Sequence, residues 1–169
     1  MDRRCDAPPP YPAGVLLDLG PAHPLAATLV ACWAALVTPA LVRHDLAEHR
    51  LPNRLVHPGW PLAGIALVTA AIERGAAPVA ALVAGVATAV ALIGLALGGG
   101  LGMGDAKLAV PLAIGLALAH PARIAIAAPV ALGIGAIAAL VALARTRDRR
   151  ARIPFGPPLL LGYWTGWLA

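Results

Sequence analysis

Two aspartates, Asp45 and Asp105, are the residues whose type and position best suit catalysis. Each lies at the end of a long apolar segment, Asp45 in R-H-D-L-A-E-H-R-L-P-N and Asp105 in G-M-G-D-A-K-L. Two carboxyl groups that share a site do not both ionise easily, so one keeps a proton while the other is charged. The charged member can accept a proton from water while the protonated member donates to a carbonyl or an amine. The two residues therefore predict a two-carboxylate hydrolytic site, if the fold brings them together.

Other nucleophiles and metal ligands are scarce in the chain. It contains no serine, which excludes a serine nucleophile, and its two cysteines, Cys5 and Cys32, are too few for a disulfide framework or a zinc site. Three histidines, His44, His49 and His57, follow the first apolar segment, but their spacing matches no common ligand pattern. We therefore expect no metal and no cofactor, and we expect hydrolysis by a carboxylate pair acting on water.

The composition indicates the surroundings of these residues. Of the 169 residues, 60% are hydrophobic and only 12% are charged, as in a membrane protein. A bilayer core of roughly 30 Å needs about 20 helical residues to cross it. We predict an all-α polytopic membrane helix bundle with about six transmembrane helices, over residues 25–42, 56–72, 77–97, 107–119, 124–144 and 157–169.

Glycine and alanine dominate these segments. Lipid gives helices no hydrophobic drive to associate, and small side chains let their backbones approach closely. Most of the glycines are therefore interpreted as helix-packing surfaces, among them Gly94, Gly98, Gly115 and Gly133.

The basic residues predict how the chain is oriented in the membrane. Nine of the thirteen Lys and Arg residues fall in segment 43–54, at Lys107 and in segment 145–152, whereas Arg74 and Arg123 lie in the alternate short loops. Cytoplasmic loops carry the excess of Lys and Arg, so the first three places face the cytoplasm and both termini lie outside. Both aspartates then lie on the cytoplasmic side of a multi-pass protein of the cell inner (plasma) membrane.

The net charge of +5 is explained by this topology. The basic run 145–152 is expected to bind anionic headgroups of the membrane lipid, and no nucleic-acid partner is expected. Residues 1–24 are rich in proline and lack an apolar core, which predicts a flexible Pro-rich N-terminal extension and argues against a cleaved signal peptide. Residues 25–169 then form a transmembrane domain that carries both aspartates.

Glycine and proline flank the two aspartates. Gly102 and Gly104 allow a turn whose backbone approaches a carboxylate closely, and Lys107 either lowers the pKa of Asp105 or binds lipid headgroups. Pro52 disfavours helix at the residue before it, so the first helix ends between Asp45 and Pro52, and Asn53 is placed to cap the next helix. The candidate substrate-binding or turn-shaping residues are therefore Gly102, Gly104, Lys107, Pro52 and Asn53.

At these residues the chain resembles the type IV prepilin peptidase family, membrane aspartic proteases that include the preflagellin peptidases. Residues 102–108, G-M-G-D-A-K-L, match the family pattern G-x-G-D-x-K-L at every fixed position. Asp45 followed by L-P-N at 51–53 is similar to the family's other aspartate element, and I-P-F-G-P at 153–157 is similar to the segment before its last helix. Together the matches cover about residues 25–169.

The resemblance implies an aspartic endopeptidase that cleaves the short basic leader peptide of prepilins or pseudopilins, usually after a glycine, in type IV pilus assembly or protein secretion. It implies Asp45 and Asp105 as the catalytic pair, Gly102 and Gly104 as residues that shape the turn, and at most a supporting role for Lys107. Larger members carry paired C-x-x-C elements that accompany methylation of the new amino terminus. Residues 1–24 contain one cysteine, so the chain resembles the short form that lacks the methyltransferase portion.

Two other classes of protein remain as alternatives. A small membrane transport or assembly protein would use the aspartates to relay protons or bind a cation. Relays favour acids in the middle of helices, whereas both aspartates lie at predicted helix ends on one side. A purely structural membrane protein would carry the three motifs by chance. The protease interpretation is therefore preferred.

Overall fold

Every regular element in the described part of the chain is an α-helix. The structure, a computed structural model, describes residues 23–97, 101–147 and 154–169. The helices in order are α1 Pro24–Glu48, α2 Asn53–Val56, α3 Gly59–Arg74, α4 Val79–Leu97, α5 Met103–Ala119, α6 Ala122–Thr146 and α7 Gly156–Leu168. The predicted all-α fold is confirmed.

Four stretches among the described residues are long and apolar enough to cross a membrane. They are α1, residues Asn53–Glu73 of α2 and α3, α4, and residues Ala122–Arg145 of α6. Helices α5 and α7 are shorter, with 17 and 13 residues. At 1.5 Å per residue α5 is roughly 26 Å long, slightly less than a bilayer core. The four long apolar helices are those of a membrane protein, and the count of six crossings stays a prediction.

Helix α5 forms the centre of the bundle. Fourteen of its 17 residues are buried, and it packs against α1, α3, α4, α6 and α7. A helix that is apolar all round belongs in the interior of a protein. Close approach depends on glycine at two places, because a Cβ at Gly115 would come 2.7 Å from Val30 Cγ1 and a Cβ at Gly85 would come 2.9 Å from Ile114 Cγ1. The first turn of α5 is thereby held at one end of the bundle.

That end, where α1 finishes and where α5 and α7 begin, is called the site end. The opposite end is closed by separate polar contacts. There the amide of His23 donates to the carbonyl of Leu118 (2.7 Å), and His23 Nδ1 lies 3.3 Å from Glu73 Oε2. Arg123 Nη1 donates to the carbonyl of Trp167 (2.9 Å), and its guanidinium lies over the Trp167 ring. Successive long helices therefore run between two chemically distinct ends.

Helix boundaries differ from the predicted ones in a few places. Helix α5 begins at Met103, four residues before the predicted start, and continues through Pro111. Glycine can adopt helical as well as turn conformations, so Gly104 is part of the helix and the glycine-rich turn before α5 is shorter than predicted. Helix α1 begins at Pro24, inside the predicted extension 1–24. Residues 1–22 and the basic residues 148–152 lie outside the described ranges.

The interpretation of glycines as packing surfaces is confirmed at Gly115 and wrong at two other positions. A Cβ at Gly94 or at Gly133 would meet no atom within 4 Å, because each faces outward from its helix. Gly98 lies outside the described residues. Sequence spacing alone did not distinguish inward from outward glycines, since both lie in uniformly apolar helices.

This difference predicts opposite effects of two matched substitutions. Gly115→Ala should lower the melting temperature in detergent, because Val30 is fully buried and stiff, and overpacking costs about 1–3 kcal/mol. Gly94→Ala should leave it unchanged or raise it, because alanine favours helix over glycine by up to about 1 kcal/mol. Thermal unfolding followed by tryptophan fluorescence measures both. An equal rise in the two variants would contradict the packing of α5 on α1.

Candidate active site

Asp45 lies near the end of α1 with its side chain turned into the bundle. Its exposed fraction is 3%, although its neighbours in sequence from Arg43 to Arg50 are mostly exposed. The amide of Gly156, the first residue of α7, donates to Asp45 Oδ2 at 2.8 Å. A Cβ at Gly156 would lie 2.8 Å from the same oxygen. Glycine at position 156 therefore lets the α7 backbone reach the carboxylate, and it provides a buried polar partner.

Asp105 is the third residue of α5 and has an exposed fraction of 7%. Gly102 precedes the helix in an extended conformation, and a Cβ there would lie 2.8 Å from Asp105 Oδ2. The other oxygen, Oδ1, is buried and has no hydrogen-bond partner among the described residues. Buried carboxylate oxygens normally have a partner, so Oδ1 is the natural place for a water molecule or a substrate atom.

Leu51 links the two aspartate-bearing segments. A Cβ at Gly104 would lie 3.3 Å from Leu51 Cβ, and a Cβ at Gly156 would lie 3.3 Å from Leu51 Cδ2. The half-buried leucine thus packs between the first turn of α5 and the start of α7. Asp45 and Asp105 are held on the helices that meet around it.

Electrostatics couples the two carboxyl groups. Asp105 precedes the apolar segment 107–119 and lies outside the four candidate membrane spans. Its burial raises its pKa, the neighbouring charge of Asp45 raises it further, and the backbone amides of Gly102 and Asp105 oppose the rise, so that the pKa of Asp105 is about 7. Asp105 is therefore about half protonated at neutral pH, so this carboxyl group can hold a proton there.

The residues that flank Asp105, Lys107 and Gly104, differ in the contacts that they make. Trp60 Nε1 donates to the carbonyl of Lys107 (3.1 Å), which ties the start of α3 to the first turn of α5. The Lys107 ammonium forms no ion pair with any residue in the described ranges. Gly104, assigned to a turn by the sequence analysis, is instead helical and serves as the surface on which Leu51 packs.

The predicted cap of α2 is wrong. Pro52, not Asn53, occupies the N-cap position, with extended backbone angles, and Asn53 is the first residue of the helix with an exposed side chain. Proline already fixes the φ value that the cap position uses, so the chain enters the helix without a side-chain hydrogen bond. No side-chain hydrogen bond joins Asn53 to either aspartate, and its role in substrate binding stays a prediction.

The histidines do not converge on a common point. His44 and His49 are exposed, and His44 Nδ1 lies 3.6 Å from Glu48 Oε1 on the surface of α1. Within the described ranges no group of three His, Cys, Asp or Glu side chains could hold a metal ion.

Two residues of the site were missed by the sequence analysis. Gly156 and Leu51 both belong to segments that the motifs single out, yet neither was assigned a role. The glycine of I-P-F-G-P was a signal, since glycine directly before two prolines at a helix start suggests a close backbone approach. No local feature identified its partner, because the residues in the hydrogen bond to Asp45 are 111 positions apart.

Comparison with protein-family models finds no family that matches the chain, and comparisons with curated proteins and with solved structures likewise find no match. The site is therefore interpreted from its own geometry and from the resemblance of its motifs.

The raised pKa of Asp105 predicts a pH-dependent gain in stability for Asp105→Asn. The folded state binds the proton more tightly than the unfolded chain, so ionisation lowers the free energy of unfolding as pH rises from about 4 to about 7. Roughly three pKa units correspond to about 4 kcal/mol. The asparagine variant lacks this loss, and its melting temperature relative to the unsubstituted protein should rise by several degrees between pH 4 and pH 8.

Melting curves in detergent at pH 4, 6 and 8 measure the difference. Glu48→Gln is the matched control, because Glu48 is exposed near the same end of the bundle and should give a small and nearly constant difference. A pH-independent difference for Asp105→Asn would show that this carboxyl group titrates normally.

Proposed function

We propose that the protein is a membrane aspartic endopeptidase of the prepilin peptidase type. The observation that carries the proposal is a pair of buried, electrostatically coupled carboxyl groups, Asp45 and Asp105, at one end of an apolar helix bundle. The unpartnered Oδ1 of Asp105 supports the presence of a reacting water or substrate atom beside it. A structural protein has no need of two buried acids that raise one another's cost of ionisation.

The arrangement of the three motif segments supports the same function. Residues from all three make contacts at the site end: Asp45 with Gly156, and Leu51 with both Gly104 and Gly156. Motifs that matched by chance would have no reason to meet in space. The substrate is then a prepilin or pseudopilin whose basic leader lies beyond the end of the bundle.

The basic residues support a cytoplasmic location for the site end of the protein. Arg43, Arg50 and Arg54 are exposed near Asp45, and Arg145 is exposed at the end of α6. Arg123 lies at the opposite end. A concentration of positive charge at one end is the pattern of a cytoplasmic face, which supports six crossings of the plasma membrane, with α5 and α7 included.

Hydrolysis requires proton transfers in two steps, addition of water and breakage of the C–N bond, and the pair can perform them. The charged carboxylate takes a proton from a water molecule as the water oxygen bonds to the peptide carbonyl carbon, and the protonated carboxyl group donates its proton to the carbonyl oxygen. The tetrahedral diol then collapses and the C–N bond breaks: the first carboxyl group returns its proton to the leaving amine, and a diol hydroxyl returns a proton to the second carboxylate. One proton shared by two acids suffices for both steps, and the pair ends in its starting state.

The proposal predicts that either aspartate is essential for cleavage. Asp45→Asn and Asp105→Asn should each lower kcat on a prepilin with a basic leader by at least about 1,000-fold, because an amide can neither accept the proton of water nor return it to the amine. Cleavage by the purified protein in detergent or lipid is followed by the mass of the released leader.

Glu48→Gln supplies the control for this experiment, since it removes an exposed carboxylate from the last residue of α1 and should retain cleavage. Cleavage by either asparagine variant at the unsubstituted rate would remove that aspartate from the catalytic pair. The relay alternative predicts a protein that moves protons and releases no leader.

The carboxylate mechanism also predicts the response to inhibitors. EDTA and serine-directed reagents should leave the rate of leader release unchanged, because the chain contains no serine and the described residues contain no metal cluster. Rates with and without each reagent are compared under the same conditions. Loss of activity with EDTA that returns on addition of a divalent metal would contradict the mechanism.

A further inference from the structure

Pro111 interrupts the backbone hydrogen bonds of α5 about two turns after the helix begins. In a regular α-helix the amide of residue 111 donates to the carbonyl of residue 107, four positions earlier. Proline has no amide N–H, and its ring also crowds the carbonyl of that earlier residue. The carbonyl of Lys107 therefore lacks its helical donor, although α5 continues to Ala119.

The indole of Trp60 supplies a donor to this carbonyl. Trp60 Nε1 donates to the carbonyl oxygen of Lys107 at 3.1 Å. Unpaired backbone groups are costly in a membrane, and proline is tolerated in membrane helices where a neighbouring helix pairs the group that it leaves free. Because Trp60 belongs to α3, a hydrogen bond between two helices here takes the place of one within α5.

The start of α3, from which this indole extends, is itself fixed. There is no room for a Cβ at Gly59 beside the ring of Trp33, a buried residue of α1, so the backbone of α3 begins in direct contact with α1. The amide of Trp60 also donates to the carbonyl of His57 (3.1 Å). The indole N–H is therefore presented to α5 from a backbone that is packed on the helix of Asp45.

The part of α5 that precedes Pro111 carries Asp105. A proline within a helix removes one of the hydrogen bonds that join the turns on either side of it, and it permits a bend there. The bond from Trp60 is made to this first part of α5, two residues after Asp105. It therefore limits how far Asp105 moves relative to α1 and α3.

We propose that Trp60 is a positioning residue of the catalytic pair. Its indole N–H replaces the donor that Pro111 removes, and it holds the first turn of α5, with Asp105, at the distance from Asp45 that hydrolysis requires. Trp60 acts through the α5 backbone and takes no part in proton transfer. The inference rests on the proposed peptidase function and adds the contact that keeps the two carboxyl groups aligned.

A tryptophan near a membrane surface also serves as an anchor between lipid and water. Trp60 is 46% exposed, so an anchor is the competing interpretation. An anchor depends on the aromatic ring and is independent of the residue at position 111. The proposed role depends on the indole N–H and is needed only because position 111 is a proline.

Two substitutions in combination test the proposal. Trp60→Phe keeps an aromatic ring and removes the N–H, and Pro111→Ala restores a backbone amide that can donate to the Lys107 carbonyl. The full chain is assayed in lipid with a prepilin that has a basic leader, as each single variant and as the double variant, and kcat and KM are measured separately. Trp167→Phe, at the opposite end of the bundle, is the matched control with and without Pro111→Ala.

Trp60→Phe should lower kcat by about 10-fold and change KM by less than about 2-fold, because a small displacement of a catalytic group slows the chemical step. In the Pro111→Ala background the same substitution should change kcat by less than about 2-fold, since the helix then supplies its own donor. Trp167→Phe should have the same effect on kcat in the two backgrounds.

An unchanged kcat in Trp60→Phe, or an equal loss with and without Pro111→Ala, would overturn the positioning role and leave the peptidase function standing. The kcat of Trp60→Phe alone is decisive where Pro111→Ala does not fold. Absence of cleavage by the unsubstituted protein would overturn the peptidase function, and with it the positioning role.

Melting temperatures test the hydrogen bond without any need for cleavage. Trp60→Phe should lower the melting temperature in detergent by about 2–4 °C, and by less than about 1 °C in the Pro111→Ala background, because a net hydrogen bond is lost only in the first case. Equal shifts in the two backgrounds would show that the indole N–H does not replace the missing amide, and would overturn the proposal.

Discussion

The hydrogen bond from the Gly156 amide to Asp45 is the contact on which the site depends. It joins the first residue of the last helix to the end of the first helix, and it is buried. Burial of a carboxylate costs several kcal/mol unless polar groups compensate it. The backbone amide at the start of α7 supplies that compensation, since helix N-termini present unpaired N–H groups. Without this hydrogen bond, the buried carboxylate of Asp45 would lack its backbone donor, and an orientation toward water would be lower in free energy.

Close backbone approach makes this contact and its neighbours possible. Gly156 and Gly102 each leave space for a carboxylate oxygen, and Gly104 leaves space for Leu51. Each of these glycines has a helical or extended backbone that other residues also adopt, so the reason for glycine here is space and not φ. The absence of side chains at these three glycines is therefore as important for the geometry of the site as the two carboxyl groups themselves.

The central position of α5 connects stability with function. Its burial on nearly all sides fixes Asp105, in the first turn of the helix, at the site end of the bundle. The same helix therefore serves as the core of the bundle and as the support of one of the two carboxyl groups.

Much of the architecture was accessible from the amino-acid sequence. Long uncharged segments predict the helices, since crossing a bilayer and burying apolar side chains both demand them, and the two aspartates stand out because charge is rare in this chain. The end of α1, between Asp45 and Pro52, was also predictable because proline restricts the residue before it. Boundaries near glycines were less accurate, as at Met103, because glycine permits turn and helix alike.

What the tertiary structure decided is which of these residues meet. The pairing of Gly156 with Asp45, the position of Leu51 between two helix starts, and the outward direction of Gly94 and Gly133 all depend on how uniformly apolar helices rotate and pack. In such helices the hydrophobic pattern has no preferred face, so the sequence carries no periodic signal for rotation. The sequence by itself determined the helices, the scarce charges and the residue types of the site; only packing between helices decided the buried, coupled arrangement of Asp45 and Asp105.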